Sequence, residues 1–317
     1  MSRYSRQELF EAIGKKGQQK IRQATIAIVG VGALGSVSAE LLCRAGVKKL
    51  ILLDRDFVEE SNLQRQLLFE EADVGKAKAL AAKAHLQKIN VGVEIEAFVV
   101  DVNFRNVDVL KEADIIIDGT DNLETRFLLN EFSLKTKKPW VYGGAVQDRG
   151  FVIGFTGRSP CLHCVLPKAQ GVGTCDTVGV LNTTTTLIAS LQVNECLKLI
   201  LGTSVGDVMH VKLMDNKFDV LKVKKNSSCK VCQGQYDYLE GRKGQEIIRF
   251  CRTGSFQLMT TKRLDLKSLK QELGKSGTVE DLGFCLVFKN MKIFPDRVLI
   301  PAKTETEAKL LYNKNFG

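Results

Sequence analysis

The stretch TIAIVGVGALG, residues 25–35, constrains this chain more than any other. A short apolar run leads into G-x-G-x-x-G at Gly30, Gly32 and Gly35, and a helical pattern follows through Ala45. Each glycine has its own reason. The first permits a tight turn, the second lets an anion approach the backbone, and the third lets helix and strand pack closely. The helix that opens here turns its unbonded N–H groups toward that anion. KLILLD, residues 49–54, reads as a second buried strand, and Asp54 at its end lies 19 residues after Gly35. A carboxylate at that place can bind ribose hydroxyls. The fingerprint specifies an adenine nucleotide and leaves ATP and a dinucleotide equally open.

The alternation continues. A helix is predicted over 75–88, strands at VEIEAF and ADIIID (113–118), a helix over 124–137, and further strands in PWVYGGAV and FVIGF. Strands alternating with helices predict an α/β class: a Rossmann-like, doubly wound, mainly parallel sheet with its ligand crevice at the strand carboxyl ends. Residues 182–201 read as a long buried helix with Asn182 or Thr183 near its N-cap. A polar, turn-rich segment over 226–245 marks a boundary. The expected domains are therefore 1–233 and 234–317. The second is a small α+β extension, mixing strand-like EIIRFC, FQLMTT, GFCLVF and MKIF with helical LDLKSLKQEL and ETEAKLLYNK.

Three further segments turn the reading toward ATP. SNLQRQ (61–66) presents Asn62, Arg65 and Gln66, VGKAK (74–78) presents Lys78, and DGTDN (118–122) ends in Asp121 and Asn122. All three can converge at the carboxyl ends of the strands. Cations beside a carboxylate are what a triphosphate with Mg²⁺ requires, and Asp121 can hold the metal. An NAD-dependent oxidoreductase, the competing reading, has no use for so much phosphate-directed charge. The net charge of +10 favours anionic partners in general.

Residues 1–23 hold no apolar signal-peptide core, and no window is apolar enough to span a membrane. The expectation is a cytoplasmic protein that binds neither membrane nor nucleic acid directly. In a reducing compartment, clustered cysteines serve metal binding or catalysis sooner than disulfides. Of the nine cysteines, Cys161–Cys164 and Cys229–Cys232 form two C-x-x-C pairs with 64 residues between them. Four thiolates suit a closed, structural zinc site that staples distant segments. His163, inside the first pair, reads as a bystander, and Cys43 and Cys196 fall on apolar helical patterns as core residues.

RYSRQ (3–7), GVGALG (30–35), LLDRDFVEESNLQRQ (52–66), VGKAK (74–78) and DGTDN (118–122) resemble the ThiF/MoeB/HesA branch of ubiquitin-activating-type enzymes, over roughly residues 3–232. The resemblance implies an adenylyltransferase that uses MgATP to activate the C-terminal Gly-Gly carboxylate of a ubiquitin-like sulfur carrier, releasing pyrophosphate. Such carriers feed thiamin, molybdopterin or thiolated-tRNA synthesis. Activation for protein conjugation and an ATP-dependent tRNA-modifying dehydratase remain the alternatives. By motif position, Asp54 would bind ribose, Asn62, Arg65 and Lys78 the phosphates with Gln66 in support, and Asp121 the Mg²⁺. Arg6 would reach the phosphates of a neighbouring subunit, which requires a homodimer. Cys175, in the Gly/Thr-rich GVGTCDTVGVLN, would be a nucleophile toward the acyl-adenylate or a loop residue. A sulfurtransferase or a cysteine desulfurase would be a further partner. FCRTGS around Cys251 matches a rhodanese anion loop poorly, because a strand follows it instead of a helix.

Overall fold

The central strands split their side chains between two cores. In β1 (Thr25–Val29), Ile26 and Ile28 enter one core while Ala27 and Val29 enter the other. The same alternation runs through β2 (Lys49–Leu53), where Leu50 and Leu52 oppose Ile51 and Leu53. A strand with period-2 side chains buried on both sides must be covered by helices on both faces. The computed structural model describes residues 2–157, 159–166, 178–204, 206–243, 247–250, 255–260 and 263–316.

The chain divides into two compact units, residues 1–243 and 244–317. The first begins with the short helices α1 (Ser5–Leu9) and α2 (Gly14–Ile21). Its sheet has eight strands in the order β3-β2-β1-β4-β5-β6-β7-β8. The outer members are β3 (Glu94–Phe98), β4 (Ile115–Asp118), β5 (Trp140–Val146), β6 (Arg149–Phe155), β7 (Val208–Lys212) and β8 (Lys217–Leu221). Pairing is parallel from β3 across to β5 and antiparallel from β5 to β8. The strand order reverses between β1 and β4, so a crevice opens beyond their carboxyl ends.

Helices α3 (Gly35–Ala45), α4 (Lys78–Ile89) and α7 (Asn182–Leu201) cover one face, contributing Leu42, Leu86 and Ile188 among others. The opposite face packs on α5 (Leu123–Thr136), whose Leu128, Leu129 and Phe132 meet Trp140 and Phe155. A single-turn helix, α6 (Leu162–Val165), follows β6. The cap of α7 is Leu181; Asn182 is its first helical residue and turns its side chain onto the Thr183 N–H. Helix α4 starts three residues later than the sequence pattern predicts, because Gly75 sits at φ +89° in a turn.

Residues 234–243 belong with the first unit. The N–H groups of Tyr238 and Leu239 donate to Glu131 Oε2 on α5, at 2.8 and 2.9 Å. The second unit is a six-stranded antiparallel sheet, order β11-β12-β13-β14-β10-β9. Its strands are β9 (Ile247–Phe250), β10 (Ser255–Met259), β11 (Val279–Asp281), β12 (Leu286–Phe288), β13 (Met291–Ile293) and β14 (Arg297–Pro301). Helices α8 (Leu266–Gly274) and α9 (Glu305–Phe316) complete it. Phe256, Phe288, Ile293, Val298 and Ile300 form its own core.

Candidate active site

The Gly turn is built by close approach. Gly30 leaves β1 at φ +85° and its N–H donates to the Leu53 carbonyl at 2.7 Å. A Cβ on Gly35, or on Gly119 after β4, would overlap the Gly30 carbonyl oxygen. One carbonyl thus sits between two glycines that only glycine can occupy, locking the start of α3 against the DGTDN loop. Gly32 differs: a Cβ there would meet only Gln66 Nε2, at 3.8 Å. The middle glycine therefore faces open space, where an anion can reach the backbone.

Asp54 is buried behind that turn. Its Oδ2 accepts the Val31 N–H at 2.6 Å and its Oδ1 the Asp56 N–H at 2.7 Å. Burial pushes its carboxyl up to about 6, against the pull of the Lys78 ammonium and with help from Asp56. Lys78, the first residue of α4, is 7% exposed and lies 3.4 Å from Asp56 Oδ2. Burial would depress its pKa, but Asp56, Asp54 and Asp121 outweigh burial and raise it, so the ammonium stays charged. Arg55 bonds Asp101 Oδ1 at 2.9 Å. Asp121 itself is exposed, within electrostatic reach of Arg55, Lys78 and Arg126.

Asn62, Arg65 and Gln66 are 2%, 7% and 3% exposed, so the structure buries a motif whose composition reads as surface. Asn62 Oδ1 accepts the Glu59 N–H, fixing the turn, and Arg65 Nη1 donates to the Ser61 carbonyl at 2.9 Å. Gln66 Oε1 is buried with no hydrogen-bond partner among the described residues. A buried amide oxygen left unbonded beside the open face of Gly32 is a place for a ligand donor or bridging water.

Two more of the sequence-predicted residues, Asn122 and Arg6, sit at helices held by contacts of their own. Asn122 is the N-cap of α5, its Oδ1 accepting the Thr125 N–H at 2.8 Å. Arg6 lies exposed on α1, which is pinned at the far end of the unit. Arg3 Nη1 donates to the Ile89 carbonyl, Asn90 Nδ2 to the Tyr4 hydroxyl, and Gln7 Nε2 to the Ala45 carbonyl. Ala45 ends α3, whose 11 residues put roughly 16 Å between Arg6's anchorage and the Gly turn. Helix α1 is thus tied to the end of α3 opposite the Gly turn. Cys175 and Cys251 lie outside the described residues.

Sequence reasoning overlooked a second buried layer. Asp118 is fully buried, and burial lifts its carboxyl above the ordinary range despite Arg126, whose Nε is 3.0 Å from Oδ2. Arg126 Nη2 also donates to the carbonyls of Thr120 and Gly143. Gln192 on α7 donates to the Asp118 carbonyl at 2.7 Å. These residues hold the DGTDN loop, and with it Asp121. DGTDN itself was the only sequence signal for them.

The four cysteines do meet. Sγ–Sγ separations are 3.8 Å for Cys161–Cys164, 3.7 Å for Cys161–Cys229 and 3.7 Å for Cys164–Cys232. Tetrahedral thiolates at the usual Zn–S length of about 2.3 Å are about 3.8 Å apart, so the cluster fits zinc and is too wide for disulfides. Cys43 and Cys196 are fully buried, and burial pushes the Cys43 thiol up to about 11. His163 bonds Asn130 Nδ2 at 3.2 Å through its Nδ1.

The family model described as "ThiF family" matches residues 4–231. The chain belongs to the ThiF family. It is 36% identical to the sulfur carrier protein ThiS adenylyltransferase of Bacillus subtilis (strain 168), across 99% of each chain, so the similarity to that protein extends through the second unit. It is 34% identical to a sulfur carrier protein adenylyltransferase of Thermus thermophilus, over 73% of this chain and 90% of that one. Among solved structures, E. coli MccB crystallised with ATP aligns with a TM-score of 0.65 at 24% identity, covering 73% of this chain and 74% of that one. That likeness concerns the fold. Among the described residues, no helix is long and apolar enough to cross a membrane.

Proposed function

We propose that this ThiF-family chain is an ATP-dependent adenylyltransferase that activates the C-terminal carboxylate of a ubiquitin-like sulfur-carrier protein ending in Gly-Gly. The end-to-end similarity to the B. subtilis ThiS adenylyltransferase carries the reading. The site supports it. Gly30, Gly32 and Gly35 leave room for phosphate at a helix N-terminus, and Asp54 stands ready for ribose hydroxyls. Asn62, Arg65, Gln66 and Lys78 line the phosphate path, and Asp121 is the exposed carboxylate for Mg²⁺.

The carrier's carboxylate oxygen attacks the α-phosphorus. The new P–O bond forms as the bond to the bridging oxygen breaks, and pyrophosphate leaves with that electron pair. Arg65 and Lys78 offset the charge that develops on the phosphates. The aspartates that keep Lys78 charged also keep it in place before ATP arrives.

Zinc bound by Cys161, Cys164, Cys229 and Cys232 would be structural, since all four ligands are protein thiolates. Arg6 would act on the nucleotide of a second copy in a homodimer, a reading supported by the anchorage of α1 at the end of α3 opposite the Gly turn. Cys175 would be a loop residue or a nucleophile whose thiolate takes the acyl group as AMP leaves, with a sulfurtransferase or a cysteine desulfurase supplying sulfur. ATP–pyrophosphate exchange with candidate carriers tests the reading. Exchange that vanishes when the Gly-Gly tail is removed supports it; exchange indifferent to any carrier refutes it.

A further inference from the structure

Residues 57–77 form a loop of the first unit closed by a backbone neck. Lys78 N–H donates to the Asp56 carbonyl at 2.9 Å, Val58 N–H to Lys76 at 2.8 Å, and Gly75 N–H to Val58 at 2.9 Å. Phe57 and Ala77 pair across this neck as an antiparallel bridge. The loop it closes carries Asn62, Arg65 and Gln66, of which Gln66 borders Gly32. Its outgoing half is anchored by Leu68 and Phe69 in the core. Its return limb has no apolar anchor: of residues 70–76, Asp73 alone is buried.

Asp73 is held by His85. Nε2 of His85 lies 2.6 Å from Asp73 Oδ2, while Asp73 Oδ1 takes Lys76 Nζ at 3.0 Å and Oδ2 also accepts the Glu70 N–H. On the other side of the ring, Nδ1 lies 3.6 Å from Glu70 Oε1. One imidazole thus offers opposite nitrogens to two carboxylates of the loop. That is the arrangement of a bridge between segments and not of a metal chelate, which needs donors aimed at one point. Burial raises the Asp73 carboxyl, but the bonds from His85, Glu70 and Lys76 hold it below its ordinary range. His85 is on α4, seven residues after Lys78, two turns on and on the same face. The helix that delivers Lys78 to the phosphates therefore also grips the loop that delivers Arg65.

We propose that His85 is a positioning residue for the nucleotide, clamping Asp73 to α4 so that the loop carrying Asn62, Arg65 and Gln66 keeps its place beside the Gly turn. The inference rests on the nucleotide-site reading above. His85 touches no reacting atom. Its role is to keep the return limb against α4, so that the closed loop carrying Arg65 holds one register on the helix carrying Lys78.

The test compares the full chain with His85→Leu, which fills the volume without a donor, and His85→Gln, whose amide N–H can reach Asp73. ATP affinity is measured by calorimetry without carrier, and hydrogen exchange is followed over residues 57–77. His85→Leu is expected to weaken ATP binding about tenfold, the scale of one lost charge-assisted hydrogen bond, and to speed exchange in the return limb. His85→Gln recovers most of both, and KM for the carrier stays within about twofold. Unchanged ATP affinity in a folded His85→Leu protein overturns the clamp while leaving the nucleotide site standing. Wild-type protein that binds no ATP overturns both. Should His85→Leu fail to fold, a His85→Gln protein with tenfold weaker ATP binding and unprotected 57–77 amides also overturns the clamp, since its donor was to suffice.

Discussion

Replacing Asp54 by asparagine is expected to stabilise the first unit at neutral pH while removing its use of ATP. The carboxyl stands at about 6 in the fold against an ordinary 3.8. Each tenfold change in proton affinity is worth about 1.4 kcal/mol, so ionising Asp54 in place costs the native state about 3 kcal/mol at pH 7. The sign follows from the direction. A group whose folded pKa is raised contributes stability that is present below about 3.8 and lost as pH rises through about 6. Asparagine carries no charge to desolvate, but its single oxygen cannot accept both the Val31 and Asp56 N–H groups. That loss costs about 1–2 kcal/mol. The net gain should be about 1–2 kcal/mol at pH 7 and turn into a loss of about 1 kcal/mol near pH 4, where wild-type Asp54 is itself neutral and only the missing acceptor counts. Trp140 is the only tryptophan and lies in the core of the first unit, so urea unfolding followed by its fluorescence reads this unit alone. Destabilisation at pH 7, or a gain that persists unchanged to pH 4, would refute the account of Asp54 as a strained functional carboxylate.

Other outcomes follow from the same geometry. Arg65→Ala or Lys78→Ala should lower adenylate formation by about 10²–10³ in kcat with the far-ultraviolet dichroism unchanged, and near-normal turnover in either would contradict their phosphate roles. Cys161→Ser should release zinc and lower the unfolding temperature of the first unit; an unaltered metal content by atomic emission would rule out the four-thiolate site. Mixing Arg6→Ala with Lys78→Ala protein should restore activity, because one site of the mixed dimer keeps both residues. Failure of subunit-exchanged mixtures to recover would count against action in trans.

The reach of the sequence had a physical limit. Side chains that act through local backbone geometry were legible: Gly30, Gly32 and Gly35 by their spacing, and the buried strand Thr25–Val29 as a short apolar run. The cysteine pairs were legible as a set, because each C-x-x-C needs only its own turn. Partners joined only through space were not. Nothing local announces that Arg126 reaches back to Asp118, that Gln192 on α7 bonds the Asp118 carbonyl, or that Glu131 gathers the N–H groups of Tyr238 and Leu239. The last of these explains why residues 234–243 side with the first unit, although their polar, turn-rich composition reads as a linker. Strand β8 left little trace because all five of its residues are exposed, so no buried face imposed a pattern.

The cysteine cluster has one more consequence. Cys164 and Cys229 are joined through a single metal position, so the chain from 165 to 228 becomes a closed ring once zinc is bound. Helix α7, which supports the DGTDN loop, and the hairpin β7–β8 both lie on that ring. A protease cut within it would leave two fragments still stapled at the cluster, and a chelator would then release one of the staples. The metal would thus decide whether a nicked molecule behaves as one chain or two.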